Sequence, residues 1–244
     1  KEITSNELIP NREKVRLSFQ DLTFSYEEDS EVIQNMSLDL RPNEKVTFVG
    51  RTGVGKTTLF KLIMGILKPT SGRITINGVD VNDIPNTEKR KIFGFVDQSF
   101  HLIKGTVAEQ ISLQDESISR AQIKKALNFV GLAEYVGSLE NGIDTLVTSE
   151  ALFSHGQKQL LSIARAIVTN PPILLLDEIT SNLDSITEEK IVSVLQKASE
   201  KHTILSISHR LSTIVASDRV VILENGKIKG VGSPETLLER DEWY

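Results

Sequence analysis

A glycine-rich loop lies between a short apolar segment and a segment with helical periodicity. Its sequence is GRTGVGKTT, from Gly50 to Thr58, with VTFV before it and LFKLIMGIL after it. The loop fits the pattern G-x-x-x-x-G-K-[ST] in a strand–loop–helix context. Its glycines let the backbone curl so that successive N–H groups point at phosphate oxygens, and the following helix adds its positive N-terminal end. The loop therefore predicts a bound phosphate, and with it a nucleotide.

Two side chains of this loop suit a nucleotide that is bound with a metal ion. The Lys56 ammonium can neutralise the β- and γ-phosphates, and the Thr57 hydroxyl can ligate Mg²⁺. The alternative is a glycine-rich turn that matches the pattern by chance. The strand before the loop and the helix that begins near Lys56 favour nucleotide binding over that alternative.

Two adjacent acids end the apolar segment ILLLDE. In a parallel sheet, functional groups gather at the carboxyl ends of the strands, so Asp177 and Glu178 are expected near the phosphate loop. Asp177 would hold Mg²⁺ directly or through water, and Glu178, which projects differently, would polarise a water for attack on the γ-phosphate. The alternative is a solvated strand end that happens to carry two acids.

Two further polar residues follow apolar strands. Gln98 comes after IFGFVD, and His209 comes after TILSIS. Taken alone, each is an ordinary surface or capping residue. If their strands share a sheet with Asp177, His209 can bond the γ-phosphate or the attacking water, and Gln98 can touch Mg²⁺ or that water.

A small polar cluster, Ser154–His155–Gly156–Gln157, precedes the amphipathic segment KQLLSIARAI. A serine beside a histidine permits a nucleophile-and-base interpretation, but no third group is evident to orient the histidine. Anion recognition by the Ser154 hydroxyl, the Gly156 N–H and the helix N-terminus is the more economical interpretation.

The composition excludes several classes of protein. The chain has 244 residues, of which 39% are hydrophobic and 25% charged, and its formal net charge of −5 gives no support to a nucleic-acid partner. Because it contains no cysteine, it has no disulfide, thiolate metal site or catalytic cysteine. No apolar run approaches the roughly 18 residues that span a bilayer. We therefore expect a chain that is soluble by itself, which leaves open that it is one piece of a larger assembly.

The periodicity predicts an α/β fold with an inserted helical region. Residues 15–98 and 157–244 carry strand and helix patterns of an α/β core with an antiparallel β subdomain, whereas residues 99–156 carry the helical patterns of an inserted subdomain. Tight turns are expected at Asn77–Gly78 and Asn225–Gly226. The helix after the phosphate loop is expected to stop at Lys68, before Pro69.

The polar segment 1–14 is unlike a signal peptide and is expected to be a linker or the edge of a trimmed fragment. A start at Lys1 rather than at methionine favours a longer parent chain.

The order of these motifs resembles that of the ATP-binding cassette (ABC) ATPases, from about Val15 to the end of the chain. It comprises a phosphate loop, a glutamine, S-x-G-Q, an Asp-Glu strand end and a late histidine. KGTVAEQI and FSY resemble segments of the exporter-type nucleotide-binding domain in particular. The resemblance implies a P-loop NTPase core of ABC ATPase architecture and hydrolysis of ATP with Mg²⁺.

The resemblance also implies a role for each matching residue. The residues that it assigns to the nucleotide are Tyr26, Gly50, Arg51, Thr52, Gly53, Val54, Gly55, Lys56, Thr57, Thr58 and Asp184, with Ser154, Gly156 and Gln157 acting on a partner's nucleotide. Tyr26 would stack on adenine, and Ser181 to Asp184 would be the D-loop. The residues that it assigns to Mg²⁺ are Thr57, Gln98 and Asp177. The catalytic residues would be Glu178 as base, the switch histidine His209 and Gln98.

Some positions depart from the family pattern. Phe153 and His155 stand where leucine and the first glycine of Leu-Ser-Gly-Gly-Gln are usual, and Asn182 replaces an alanine. TSEAL replaces the Glu-x-Gly element that often precedes the signature of exporters. These departures leave open whether the partner cassette is identical to this chain.

The family resemblance implies two partners and a place in the cell. One partner is a second nucleotide-binding domain, in a homodimer or a heterodimer, and the other is an exporter's transmembrane domain on the same or a separate polypeptide. The domain would then lie at the cytoplasmic face of a membrane. One alternative is a non-transport ABC ATPase, but the chain has no room for the long coiled coils of that class. The others are a P-loop kinase or GTPase and a regulatory module that binds nucleotide without turnover.

Overall fold

The computed structural model describes residues 7, 15–27, 30–181 and 183–239. Two sheets and nine α-helices form the described part of the chain. Apart from Glu7, the segment 1–14 lies outside the described residues, and so does the expectation that it is a linker.

The larger sheet is mostly parallel. Its strands are β3 (Lys45–Val49), β6 (Phe93–Val96), β7 (Ile173–Asp177), β8 (Thr203–Ile207), β9 (Arg219–Glu224) and β10 (Lys227–Gly232). They lie in the order β10-β9-β3-β8-β7-β6, and only β10 runs antiparallel to its neighbour. Every residue of β7 and β8 is buried, as expected for central strands that are covered on both faces.

The smaller sheet is antiparallel and lies beside the phosphate loop. It consists of β1 (Leu17–Ser25), β2 (Glu31–Leu40), β4 (Ser71–Ile76) and β5 (Val79–Asp80), in the order β2-β1-β4-β5. The alternating apolar and polar residues of β2 give alternating buried and exposed side chains toward its C-terminal end, which is why it forms a half-covered strand.

The helices connect the strands and fill the inserted region. They are α1 (Lys56–Ile63), α2 (Asn86–Ile92), α3 (Val107–Ser112), α4 (Arg120–Phe129), α5 (Ala133–Gly137), α6 (His155–Ile167), α7 (Ser185–Ala198), α8 (Leu211–Val215) and α9 (Pro234–Glu239). Short 3₁₀ turns occupy Val81–Asp83, Gly142–Asp144 and Glu150–Leu152. The α/β core with an antiparallel sheet and inserted helices confirms the expected fold class. The exact boundaries at residues 98/99 and 156/157 stay predictions.

Two hydrophobic clusters hold the fold together. The first joins the antiparallel sheet to α1 and the parallel sheet, and Phe48 meets Phe60 edge-on within it at 6.4 Å between ring centres. The second joins α3, α4 and α5 to α6 and to the other face of the parallel sheet. Helix α6 therefore packs against both the inserted helices and the core.

The predicted turns are confirmed, but the predicted end of α1 is wrong. Asn77–Gly78 connects β4 to β5, and Asn225–Gly226 connects β9 to β10. Helix α1 ends at Ile63 rather than at Lys68, because Gly65 turns to φ 62° and Ile66 N–H donates back to the Lys61 carbonyl. This left-handed C-terminal cap satisfies the last carbonyls of the helix, so the helix ends before Pro69.

Candidate functional site

The phosphate loop curls around the side chain of its own lysine. Lys56 is the first residue of α1, and its Nζ donates to the carbonyls of Gly50 at 2.6 Å and Arg51 at 3.0 Å. Burial lowers the pKa of the Lys56 ammonium, while the nearby carboxylates of Glu178 and Asp177 act in the opposite direction. The loop thus holds a cation at the positive end of a helix, where an anion is stabilised.

Gly55 is required where the loop meets the antiparallel sheet. Its φ of 99° is one that other residues avoid, and a Cβ there would lie 2.9 Å from Val32 Cγ1 and 3.0 Å from Ile33 Cδ1. A side chain at this position would push strand β2 away from the loop. The close approach therefore fixes the loop against β2.

The hydroxyl of Thr57 and the carboxylate of Asp177 lie within hydrogen-bond distance of each other. The Thr57 hydroxyl donates to Asp177 Oδ2 at 3.1 Å, at the carboxyl end of β7. Burial raises the pKa of Asp177, and the Thr57 hydrogen bond opposes that rise. One carboxylate and one hydroxyl fit Mg²⁺, which is usually held by one or two carboxylates together with substrate phosphates and water.

Glu178 has a left-handed backbone conformation, and its carboxylate contacts other groups than that of its neighbour Asp177. Its φ is 48°, and its N–H donates to the Ile207 carbonyl of the adjacent strand at 2.9 Å. Its Oε2 accepts from Gln98 Nε2 at 3.3 Å, and its Oε1 lies 3.3 Å from His209 Nε2. A non-glycine residue in this region costs about 1 kcal/mol or more and often marks a functional site.

The parallel sheet explains this convergence. The residues that the structure brings together are Lys56, Thr57, Gln98, Asp177, Glu178 and His209. They lie at or beyond the carboxyl ends of β3, β6, β7 and β8, which are neighbours in the sheet. Ligands bind outside this edge in open α/β sheets.

Tyr26 lies at the mouth of the phosphate loop. Its hydroxyl lies 3.1 Å from Thr58 Oγ1, and its ring meets Phe24 edge-on at 4.8 Å between centres. The residue is 57% exposed, so part of its aromatic side chain is accessible to a planar ligand. Arg51, Thr52 and Gly53 form the exposed tip of the loop, with Val54 partly buried behind them.

The Ser154–Gln157 cluster begins helix α6 and is separate from the Lys56–His209 group. Ser154 is the N-cap: its Oγ accepts from Gln157 N–H at 3.2 Å, and Gln157 Oε1 accepts from Ser154 N–H at 2.8 Å. Such a capping box satisfies two N-terminal donors. Within the described part of the chain, no hydrogen bond joins this cluster to the Lys56–His209 group.

Gly156 lies against helix α7, and this contact explains its lack of a side chain. A Cβ at Gly156 would come 2.3 Å from Thr187 Cγ2. Asp184, at the end of the predicted D-loop, is the N-cap of α7, and its carboxylate accepts from Thr187 N–H at 3.0 Å and from the Thr187 hydroxyl at 2.7 Å. These bonds hold the pKa of Asp184 below its usual value. Asn182 lies outside the described residues.

Two residues of α6 that motif analysis missed hold the segment after β6. Gln159 is fully buried, and its Nε2 donates to the Gln98 carbonyl at 3.0 Å. Arg165 Nε donates to the Gln110 carbonyl at 2.7 Å, and its guanidinium lies 4.5 Å from the centre of the Phe100 ring. The available signal was their position, because both are polar residues among mostly apolar neighbours on this helix.

A family model described as "ABC transporter" matches residues 33–181 of this chain. The chain belongs to the ABC transporter family. Its fold is that of an ABC ATPase domain, and the matched residues run from the antiparallel sheet through the phosphate loop, the α6 cap and the Asp177–Glu178 pair.

Individual relatives within this family are exporters by name. The chain is 37% identical over 238 residues to an ATM1-type heavy metal exporter of Novosphingobium aromaticivorans, covering 97% of this chain and 39% of that protein. It is 37% identical over 231 residues to an ATP-dependent lipid A-core flippase of Chromobacterium violaceum, covering 94% and 40%. The chain thus spans about two fifths of the length of these relatives.

A solved structure of a bacterial Atm1-family ABC exporter with ATP bound has the same fold. The TM-score is 0.85 at 36% identity, over 93% of this chain and 40% of that one. In the described part of the chain, no helix combines the length and apolar character that crossing a membrane requires.

Proposed function

We propose that this chain binds ATP with Mg²⁺, hydrolyses it, and thereby powers an ABC exporter. The observation that carries the proposal is the position of Glu178. Its carboxylate contacts both Gln98 and His209, and the Thr57–Asp177 pair and the phosphate loop lie beside it. Phosphoryl transfer requires this set of parts, namely a phosphate cradle, metal-holding oxygens and a residue that orients water.

In this proposal, the phosphate loop, Tyr26 and the metal-holding residues bind the nucleotide. The backbone N–H groups of the loop and the Lys56 ammonium hold the β- and γ-phosphates, and Tyr26 stacks on adenine with its accessible aromatic side chain. Thr57, Asp177 and Gln98 would hold Mg²⁺, which would neutralise charge on the phosphates. The exposed loop tip Arg51–Gly53, with Val54, Gly55 and Thr58, completes the contact with the nucleotide.

Glu178 is the general base in this proposal. A water attacks the γ-phosphorus, its proton passes to the Glu178 carboxylate, and the bond from the γ-phosphorus to the bridging oxygen breaks to leave ADP and phosphate. Gln98 and His209 each lie 3.3 Å from a Glu178 oxygen, so they orient both the carboxylate and the water. The left-handed backbone at Glu178 separates this task from that of Asp177.

The α6 cap serves a second subunit in this proposal. Ser154, Gly156 and Gln157 stand at the N-terminus of a 13-residue helix, whose positive end favours an anion. The γ-phosphate of ATP held by the partner's loop supplies that anion, and Asp184 lies at the same interface. ATP then joins the two domains, and release of phosphate lets them separate.

Coupling to export completes the proposal. In the whole protein, a transmembrane domain turns the closing and opening of the dimer into transport, and this domain lies at the cytoplasmic face of the membrane. The exporter names of the relatives and of the solved structure support transport over a non-transport ABC ATPase.

The experiment compares the wild-type chain with Glu178→Gln. The wild type should hydrolyse ATP, and the variant should bind ATP with unchanged affinity and turn over about 10²–10³-fold more slowly. Size-exclusion chromatography with ATP should show Glu178→Gln as a homodimer if the two cassettes are identical, and as a monomer if the natural partner is a different chain. Unchanged turnover in Glu178→Gln would exclude the role given to that residue.

A further inference from the structure

A buried carboxylate outside the catalytic group contacts the segment that carries His209. Glu188 lies in the first turn of α7 and is 8% exposed. It accepts a hydrogen bond from the Ser212 hydroxyl and an ion-pair hydrogen bond from Arg210 Nη1 at 3.1 Å. Both partners follow His209 in the chain, so this carboxylate binds the His209 segment on its C-terminal side.

The N-terminal side of His209 is anchored as well. Strand β8 ends at Ile207, and the Ser208 hydroxyl accepts from the Arg210 N–H at 3.1 Å. Ladder bonds of the sheet therefore stop before His209, and the direction of its ring depends on the turn from Ser208 to Arg210. Glu188 is the group that holds the far end of this turn.

Burial makes this arrangement specific. A carboxylate leaves water at a large cost, and it is tolerated in a buried place when it is paired and hydrogen-bonded. The adjacent residue Glu189 is exposed on the same helix. Glu189 already supplies a negative charge near the N-terminus of the helix. We therefore attribute the carboxylate at position 188 to its hydrogen bonds with Arg210 and Ser212.

The same turn of α7 also contacts the start of α6. Thr187 lies directly against Gly156, and its neighbour Glu188 binds the His209 segment. We propose that Glu188 is a positioning residue for His209, and that the first turn of α7 connects the Ser154–Gln157 cap to the His209–Glu178 contact. This inference rests on the proposed ATP hydrolysis at Glu178.

Glu188→Gln tests the proposal, with Glu189→Gln as the matched control. Both changes remove one negative charge near the N-terminus of α7, but only the first weakens the Arg210 pair. Because misplaced catalytic groups lose about 10- to 100-fold in rate, we expect kcat of Glu188→Gln to fall in that range while KM for ATP changes less than about twofold. Glu189→Gln should match the wild type.

A second measurement does not depend on turnover. The imidazole NMR signals of His209 should shift or broaden in Glu188→Gln, whereas those of the exposed His101 should stay in place. A wild-type chain that fails to hydrolyse ATP would contradict the proposed function. An unmoved His209 signal would contradict the positioning role of Glu188.

A double variant separates positioning from general destabilisation. In a His209→Ala background, Glu188→Gln should lower the residual single-turnover rate by less than about twofold, because residues that act through one group are not additive. The same 10- to 100-fold loss in that background would show a role independent of His209 and overturn the proposal. Thermal unfolding of each variant checks that the folded state is retained.

Discussion

His209 Nε2 lies 3.3 Å from Glu178 Oε1, across the carboxyl ends of the adjacent strands β7 and β8. Gln98 Nε2 approaches the other oxygen of the same carboxylate, also at 3.3 Å. The carboxylate is therefore oriented from both sides by groups that lie far apart in the chain. A water bonded to this carboxylate would have its position set by all three side chains.

The His209–Glu178 contact predicts strongly coupled effects on turnover. His209→Ala should lower kcat about 100-fold, and adding it to Glu178→Gln should cost little more, because both residues act on the same water. The rate of ATP hydrolysis in single-turnover experiments is measured for the two single variants and the double variant. His101→Ala is the control, since that histidine is exposed and its side chain is outside the group. Fully multiplicative losses would show that the two residues act independently.

The buried Lys56 ammonium predicts a loss of nucleotide affinity on truncation. Lys56→Ala should weaken ATP binding about 10- to 100-fold, because a charge-assisted contact with phosphate contributes about 1.5–3 kcal/mol. Isothermal titration or a fluorescent nucleotide measures this change. Lys61→Ala, an exposed position on the same helix, should leave the affinity unchanged. Equal affinity in both variants would remove Lys56 from the phosphate site.

The packing of Gly156 on Thr187 predicts a steric cost for any side chain there. Gly156→Ala should lower the free energy of unfolding by about 1–3 kcal/mol, because the new Cβ would lie 2.3 Å from Thr187 Cγ2. Thr187→Ser, which removes that methyl and keeps the hydroxyl bonded to Asp184, should restore most of the loss. Urea unfolding of the single and double variants measures both effects.

Gly137→Ala is the matched control for this prediction. Gly137 is the last residue of a helix, and a Cβ there would meet nothing within 4 Å. The change should leave stability unchanged or raise it by up to about 1 kcal/mol. Equal losses at Gly156 and Gly137 would mean that the contact with Thr187 is not the cause.

A buried histidine predicts a loss of stability in mild acid. His202 is 6% exposed, its Nδ1 bonds the Pro171 carbonyl at 2.5 Å, and burial lowers its pKa below the usual value. The folded state therefore favours the neutral ring. The contribution of His202 to the free energy of unfolding is fully present above the pKa of about 6.5 that histidine has in the unfolded chain. This contribution is lost as the pH falls from there toward the pKa of the folded state, at up to about 1.4 kcal/mol per pH unit.

His202→Asn tests this pH dependence. Asparagine can donate from Nδ2 to the Pro171 carbonyl and does not titrate, so the difference in unfolding free energy between wild type and variant should shrink between about pH 7 and 5. The other histidines of the sequence are exposed and are present in both proteins. A difference that does not change with pH would show that His202 is not titrating.

Sequence reasoning predicted that the strand-end residues lie close together, because functional residues of a parallel sheet gather at the carboxyl ends of its strands. Gln98, Asp177 and His209 all follow apolar segments, and such segments end at a common edge. The same reasoning could not predict the end of α1, where a left-handed Gly65 stops the helix before the proline signal. A local backbone conformation, rather than a side-chain pattern, made that difference.

Sequence alone thus determined the phosphate loop, the strand-end residues and the family, because these are encoded by local spacing and order along the chain. Tertiary structure alone decided which oxygen of Glu178 faces Gln98 and which faces His209, why Gly156 must lack a side chain, and that Glu188 rather than Glu189 binds the His209 segment. The physical reason is that these contacts join elements distant in sequence, so only the packing of α6 and α7 on the sheet brings their atoms together.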